Sequence, residues 1–204
     1  MNRIIYYYQT FNGLQDILDK KVVTHIHVSS IHFGHNEDGS PYIHLNDEIP
    51  KRSIFDTVCI ESQSCIKGID LDIEEYVTLK DVQRLIRQIK EDFGKDFIIS
   101  MAPLGGSLMT DESGMGGFVY KTLFESPEGK MIDYFNGQFY GSFSFDSYDK
   151  AIQNGYPPEK VVMGMESTEF TKETFVEALE EVHKIRQKYP TFGGVFNWEY
   201  FSSP

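Results

Sequence analysis

The stretch Lys67-Gly68-Ile69-Asp70-Leu71-Asp72-Ile73-Glu74 decides how the chain is read. Three carboxylates, Asp70, Asp72 and Glu74, alternate with Ile69, Leu71 and Ile73. Period-two alternation is a strand pattern, in which residues i, i+2 and i+4 share one face at a rise of ~3.3 Å per residue. The carboxylates then form a ladder, and the aliphatic residues pack behind it. An edge strand with a solvated acidic face has the same local pattern, but the aliphatic flank suits a buried strand. Like charges held this close raise one another's pKa. A proton kept on a carboxyl near neutral pH is what a general acid needs.

Outward from this stretch, strand and helix patterns alternate. Arg3–Tyr8, Thr24–Phe33, Gly68–Glu74, Phe97–Ala102, Met131–Tyr140, Val161–Met165 and Phe192–Trp198 read as seven strands. Thr78 with Asp81 resembles a capping box, followed by Val82, Leu85, Ile86, Ile89 and Phe93 at helical spacing and by the stop Gly94. Leu14, Ile17, Leu18 and Val22 form a weaker helical stripe, and Phe55–Ser64 reads as a short helix. Thr171–Tyr189 reads as a long amphipathic helix with Phe175, Leu179, Val182 and Ile185 inward. The glycine-rich stretch Gly105–Gly117 reads as a long mobile loop. Such alternation predicts an α/β fold of the (β/α)8 TIM-barrel type, reduced to seven strands. A length of 204 residues fits one domain spanning 1–204.

The net charge of −12 argues against nucleic acid or an anionic membrane as partner. No apolar run approaches the ~18 residues of a membrane span. Met1-Asn2-Arg3-Ile4-Ile5-Tyr6 leads directly into a strand, without the charged-then-apolar pattern of a secretory leader, so a cytoplasmic location is expected. Cys59 and Cys65 make no disulfide framework and read as reduced thiols. His25 and His27 share a strand face, as a metal pair or as packed, hydrogen-bonded histidines.

In a barrel of this type catalytic groups come from the C-terminal ends of several strands. Those ends carry Glu74, Met101-Ala102-Pro103, Gln138-Phe139-Tyr140, Met165-Glu166 and Asn197-Trp198-Glu199. Carboxylates, a phenol, an amide and an indole form a carbohydrate-type inventory: aromatic planes for sugar faces, polar groups for hydroxyls.

At these residues the chain resembles glycoside hydrolase family 18, the chitinases and endo-β-N-acetylglucosaminidases built on a (β/α)8 barrel. The family signature Asp-Gly-x-Asp-x-Asp-x-Glu aligns with residues 67–74. Tyr7-Tyr8-Gln9, Ser29-Ser30-Ile31-His32-Phe33-Gly34, Met101-Ala102-Pro103, Gln138-Phe139-Tyr140 and Gly193-Gly194-Val195-Phe196-Asn197-Trp198-Glu199 follow in the family's order. The look is that of the compact fungal-type endo-β-N-acetylglucosaminidases and hevamine-like chitinases. Two departures stand out. Lys67 replaces the first motif Asp, on the side of the strand away from the ladder. Only 35 residues separate Gly34 from Asp70, and no Ser-x-Gly-Gly strand lies among them, so the third β/α unit is missing.

The resemblance implies an endo-acting, retaining hydrolase that cleaves β-1,4 linkages of N-acetylglucosamine by substrate-assisted catalysis, in the chitobiose unit of N-glycans or in chitin oligosaccharides. It implies Glu74 as acid and base, and Asp72 as holder of the acetamido group. Asp70 would tune Asp72 by sharing a proton, and Tyr140 would hold the acetamido carbonyl. Trp198, Gln138, Met101 and Tyr7 would line the sugar site, although core packing is the default reading for Tyr7 and core filling the commoner one for Met101. No metal or organic cofactor is implied. A barrel lacking a strand must re-close or leave edges. That raises the alternative of a catalytically inert glycan-binding barrel, and open edges would offer a second copy a place to pair.

Overall fold

The computed structural model describes residues 2–9, 19, 21–29, 31–35, 38–45 and 66–198. The strands are β1 (Arg3–Tyr8), β2 (His25–Val28), β3 (Ile31–His35), β4 (Pro41–Leu45), β5 (Gly68–Leu71), β6 (Ile98–Met101), β7 (Tyr134–Gln138), β8 (Val161–Glu166) and β9 (Gly194–Trp198). Seven of them form one parallel sheet in the order β2-β1-β9-β8-β7-β6-β5. The sheet curls into a nearly closed barrel whose two edges are β2 and β5. β3 and β4 pair antiparallel in a separate hairpin.

The expected strand over Thr24–Phe33 is therefore two strands. The first ends where the Ser29 amide bonds the Tyr8 carbonyl at 3.1 Å, and the second leaves the barrel for the hairpin. β4 belongs to that hairpin as well, so Tyr42–Leu45 does not take the place of the missing barrel strand. The eighth strand of a (β/α)8 barrel has no counterpart among the described residues. The helices of Phe55–Ser64 and of Leu14, Ile17 and Leu18, and both cysteines, lie outside the described residues.

The described helices are α1 (Leu79–Phe93), α2 (Gly105–Met109), α3 (Tyr120–Glu125), α4 (Phe145–Gln153) and α5 (Phe175–Lys188). At the start of α1 the Thr78 hydroxyl oxygen accepts from the Asp81 amide at 3.2 Å and its O–H donates to the Asp81 carboxylate at 2.6 Å. This satisfies one of the orphan amides of the first turn. Val82, Ile86 and Ile89 are the face of α1 that goes inside; Leu85 and Phe93 stay exposed. The helix stops at Gly94, whose φ of 90° suits glycine.

Gly105–Gly117 is ordered rather than a long loop. Its first part is α2, whose Leu108 is fully buried, and Ser113 bridges Val119 to close a turn. Burial of apolar side chains has overridden the glycine signal. α5 begins at Phe175, after a turn in which Thr171 and Thr174 bond each other's amides. Its buried stripe runs through Ala178 and Ile185, and Leu179 is 53% exposed, contrary to the inward position expected for it.

Strand alternation sorts the core into two layers. Leu71, Ile99, Met101, Phe135, Val161 and Met163 pack outward against the helices. Ile5, Tyr7, Tyr134, Val162 and Phe196 fill the barrel. Gly164 sits on the inner face under the Phe196 ring, where an added Cβ would come within 1.9 Å of Phe196 Cζ. Among the described residues no helix is long and apolar enough to cross a membrane.

Candidate active site

The acidic motif occupies β5 and the extended segment that follows it. Lys67, Ile69 and Leu71 point outward and Asp70 inward, so Lys67 is exposed away from the ladder, as its parity requires. Asp70 sits at the middle of the barrel and is tied to four other strands. The Tyr7 hydroxyl donates to Oδ2 at 2.5 Å and the Ser100 hydroxyl to Oδ1 at 2.6 Å. Asn136 Nδ2 donates to Oδ1 at 3.1 Å, and His27 Nδ1 stands 3.6 Å from Oδ2. Burial by itself would raise the Asp70 pKa. The His27 imidazole and the hydrogen bonds from Ser100 and Tyr7 outweigh it and hold Asp70 below the usual carboxylate range. The Tyr7 phenol is pushed well up by burial and by the Asp70 charge, so it stays a donor.

Asp72, two residues on, has the opposite environment. Its pKa is pushed up to about 7, first by burial among the strand ends and then by the charges of Glu74 and Asp70. Gln138 Nε2, donating at 3.3 Å, opposes the rise. Crowded as it is, the Asp72 side chain is exposed, so water screens the repulsion and moderates the rise. Asp70 and Asp72, expected to share a proton, are thus pushed in opposite directions, Asp70 down and Asp72 up. Glu74 stands exposed at the mouth.

β7 and the residues after it supply a second ladder. Tyr134, Asn136, Gln138 and Tyr140 alternate on the inner face, with Asn136 meeting Asp70 and Gln138 meeting Asp72. Gln138 Nε2 also donates to the Ala102 carbonyl at 2.7 Å, which fixes the amide. Tyr140 packs edge-on to Phe196 at 6.3 Å. Its phenol is pushed up by burial and by Asp72, Glu166 and Glu169, so it remains protonated and able to donate. Trp198, at the end of β9, lies edge-on to Tyr7 at 5.2 Å and half-buried above it.

Two expected sugar contacts are corrected. Met101 follows Ser100, whose side chain points at Asp70; Met101 therefore points outward, where it is 0% exposed and packed against the helices. Tyr7 is buried beneath the cleft and acts on Asp70. His27 is packed between Asp70 and Tyr134, whose hydroxyl lies 3.3 Å from Nε2, and His25 bonds Thr24 Oγ1 at 2.8 Å. Among the described residues no three His, Cys, Asp or Glu are grouped to hold a metal ion. Glu199 lies outside the described residues.

Sequence reasoning missed Ser100, Asn136 and Glu169. Asn136 carried a signal: it shares the parity of Gln138 and Tyr140. Ser100 likewise lies two before Ala102. Glu169 gave none, since its carboxylate accepts from the amides of Gly141 and Glu166 and so joins the loop after Tyr140 to the end of β8.

The site, then, is a buried anion beneath a proton-holding carboxylate and an exposed carboxylate, walled by a phenol, an amide and an indole. The whole chain is similar to a fungal endo-β-N-acetylglucosaminidase of glycosyl hydrolase family 18, with a TM-score of 0.85 and 26% identity over 100% of this chain and 92% of that one. It is equally similar to a chitinase, ChiC, from Aspergillus fumigatus, with a TM-score of 0.86 and 25% identity over 100% and 93%. A Streptomyces coelicolor chain shares the fold alone, at a TM-score of 0.51 and 16% identity over 90% of this chain and 70% of that one. Neither a family model nor a curated protein sequence matches the chain. The family 18 resemblance therefore holds across the fold, in a form with seven barrel strands.

Proposed function

We infer that this chain is a glycoside hydrolase acting on glycans that contain N-acetylglucosamine, cleaving β-1,4 bonds internally and with retention. The single observation that carries this reading is the stacking of the ladder: Asp70 buried under hydrogen bonds from Tyr7, Ser100 and Asn136, Asp72 bonded by Gln138 two residues on, and Glu74 exposed beyond it. The chitinase and endo-β-N-acetylglucosaminidase neighbours support it.

Glu74 protonates the leaving glycosidic oxygen. The substrate's own 2-acetamido oxygen attacks the anomeric carbon and forms an oxazolinium ion, so no second protein carboxylate attacks. Asp72, as carboxylate, accepts the acetamido N–H and offsets the positive charge that develops there. The Tyr140 hydroxyl donates to the acetamido carbonyl and holds it for attack. Trp198 forms the floor beneath the sugar ring. Glu74, now a base, takes a proton from the water that opens the ring, and two inversions give net retention.

Incubation with chitotetraose and with a high-mannose glycopeptide, with the anomer of the first product read by NMR, tests the reading and chooses between chitin fragments and N-glycans. Cleavage of chitotetraose alone removes the N-glycan substrate. An α-anomer as first product removes retention. A second reading, an inert glycan-binding barrel, draws on one observation: the acid ladder stands on an edge strand. Binding of both glycans without cleavage of either would favour it.

A further inference from the structure

The two edges of the barrel sheet share no backbone hydrogen bonds, yet two of their side chains meet. His27 of β2 places Nδ1 3.6 Å from Asp70 Oδ2 of β5. That nitrogen is buried and has no hydrogen-bond partner among the described residues. Nε2 faces the Tyr134 hydroxyl at 3.3 Å, and the Tyr7 ring packs edge-on at 4.9 Å, so the imidazole is fixed on three sides. When protonated, it can donate Nδ1–H to Asp70 and convert a close contact into an ion pair across the gap.

We propose that His27 is a positioning residue that spans the place of the missing strand: it ties β2 to β5 and keeps Asp70 charged and turned toward β2, under Asp72. Among the described residues Asp70 has no hydrogen-bonding neighbour strand on that side, because β5 pairs there with β6 alone. Tyr7, Ser100 and Asn136 hold it from the other directions, and all three are neutral. Among the described residues His27 is the one group in contact with Asp70 that can carry a positive charge. Among the described residues the other charged or titratable groups around the pair are His25 on β2, Arg3 on β1, stacked 4.1 Å over the Tyr134 ring, Tyr7, Tyr134, Tyr120, Tyr140, and Asp72 above.

The catalytic consequence rests on the hydrolase reading; the pairing itself does not. NMR titration of the Asp70 carboxyl in the whole chain, wild type against His27→Gln, tests the pairing. With the imidazole gone, the Asp70 pKa is expected to rise. An unchanged value would overturn the proposal. Should His27→Gln fail to fold, His27→Asn is titrated in the same way, with the same two outcomes. In kinetics with chitotetraose, His27→Gln is expected to lower kcat more than it changes KM. The acid limb of its pH profile should move to higher pH, since Asp70 then takes up its proton sooner. A lowered Tm with an unmoved profile would leave His27 a merely structural residue. A wild type that cleaves neither chitotetraose nor the high-mannose glycopeptide would sink the hydrolase reading, and the NMR titration would still decide the pairing.

Discussion

Asp70 and Asp72 stand two positions apart on one face and are pushed in opposite directions, Asp70 below the usual carboxylate range and Asp72 up to about 7. The contrast comes from their partners. Asp70 receives three hydrogen bonds and faces an imidazole; Asp72 receives one long bond and faces two negative charges.

The first prediction follows from linkage. The folded Asp72 pKa, about 7, lies above the ~3.9 of an unfolded chain. The stability this group contributes is complete below about pH 4 and is lost as pH rises through 7. Asp72→Asn removes that loss and keeps an oxygen for Gln138. The Tm of the variant should exceed that of the wild type at pH 8 and equal it near pH 4. Asp70 has the reverse sign: its contribution is present above the unfolded pKa and lost as pH falls through the depressed folded value. Asp70→Asn should therefore lower Tm at pH 7 and converge on the wild type only in strong acid.

Glu74→Gln should abolish turnover and leave sugar binding nearly intact. Gln keeps the shape at the mouth and cannot give up an acidic proton, and loss of general acid–base work costs at least ~10²-fold. Calorimetric binding and a rate on unactivated chitotetraose would check both halves. A wild-type rate would remove Glu74 from its role.

Gly164→Ala should destabilise the barrel from within. The new Cβ would collide with the Phe196 ring at 1.9 Å, and overpacking of this kind costs ~1–3 kcal/mol. Chemical denaturation would measure it. Phe196→Leu in the same chain should recover part of the loss; no recovery would mean the clash lies elsewhere.

Thr78→Ala should cost about 1 kcal/mol, since it leaves the Asp81 amide without its side-chain partner at the start of α1. Thr78→Ser, which keeps the hydroxyl, should restore most of it. Equal denaturation midpoints for Ala and Ser would argue that the cap is idle.

The strand ends were legible because inward and outward residues alternate, and both ladders obey that rule. Asp70, Asp72, Gln138, Tyr140 and Trp198 could be placed on one side of the sheet from parity alone. Met101 went wrong through reading a strand end as a unit instead of residue by residue; its neighbour Ser100 holds the inward place. Tyr7 was assigned to the right face but the wrong depth, because parity says nothing of how far down a barrel a side chain lies. The break after Val28 was hidden by continuous β-type residues on both sides of Ser29-Ser30. Glu169 could not be foreseen, since a clasp between two loops depends on where the loops travel.

β5 has a hydrogen-bonded neighbour on one flank only among the described residues, and on it stand the carboxylates. Like a shelf bracketed along a single side, it is steadied by what reaches across from Tyr7, Asn136 and His27 rather than by its own ladder. Edge segments with few backbone bonds open at lower free energy than the sheet they border. On warming, the acid should fall silent while the rest of the barrel is still folded, so that inactivation precedes melting.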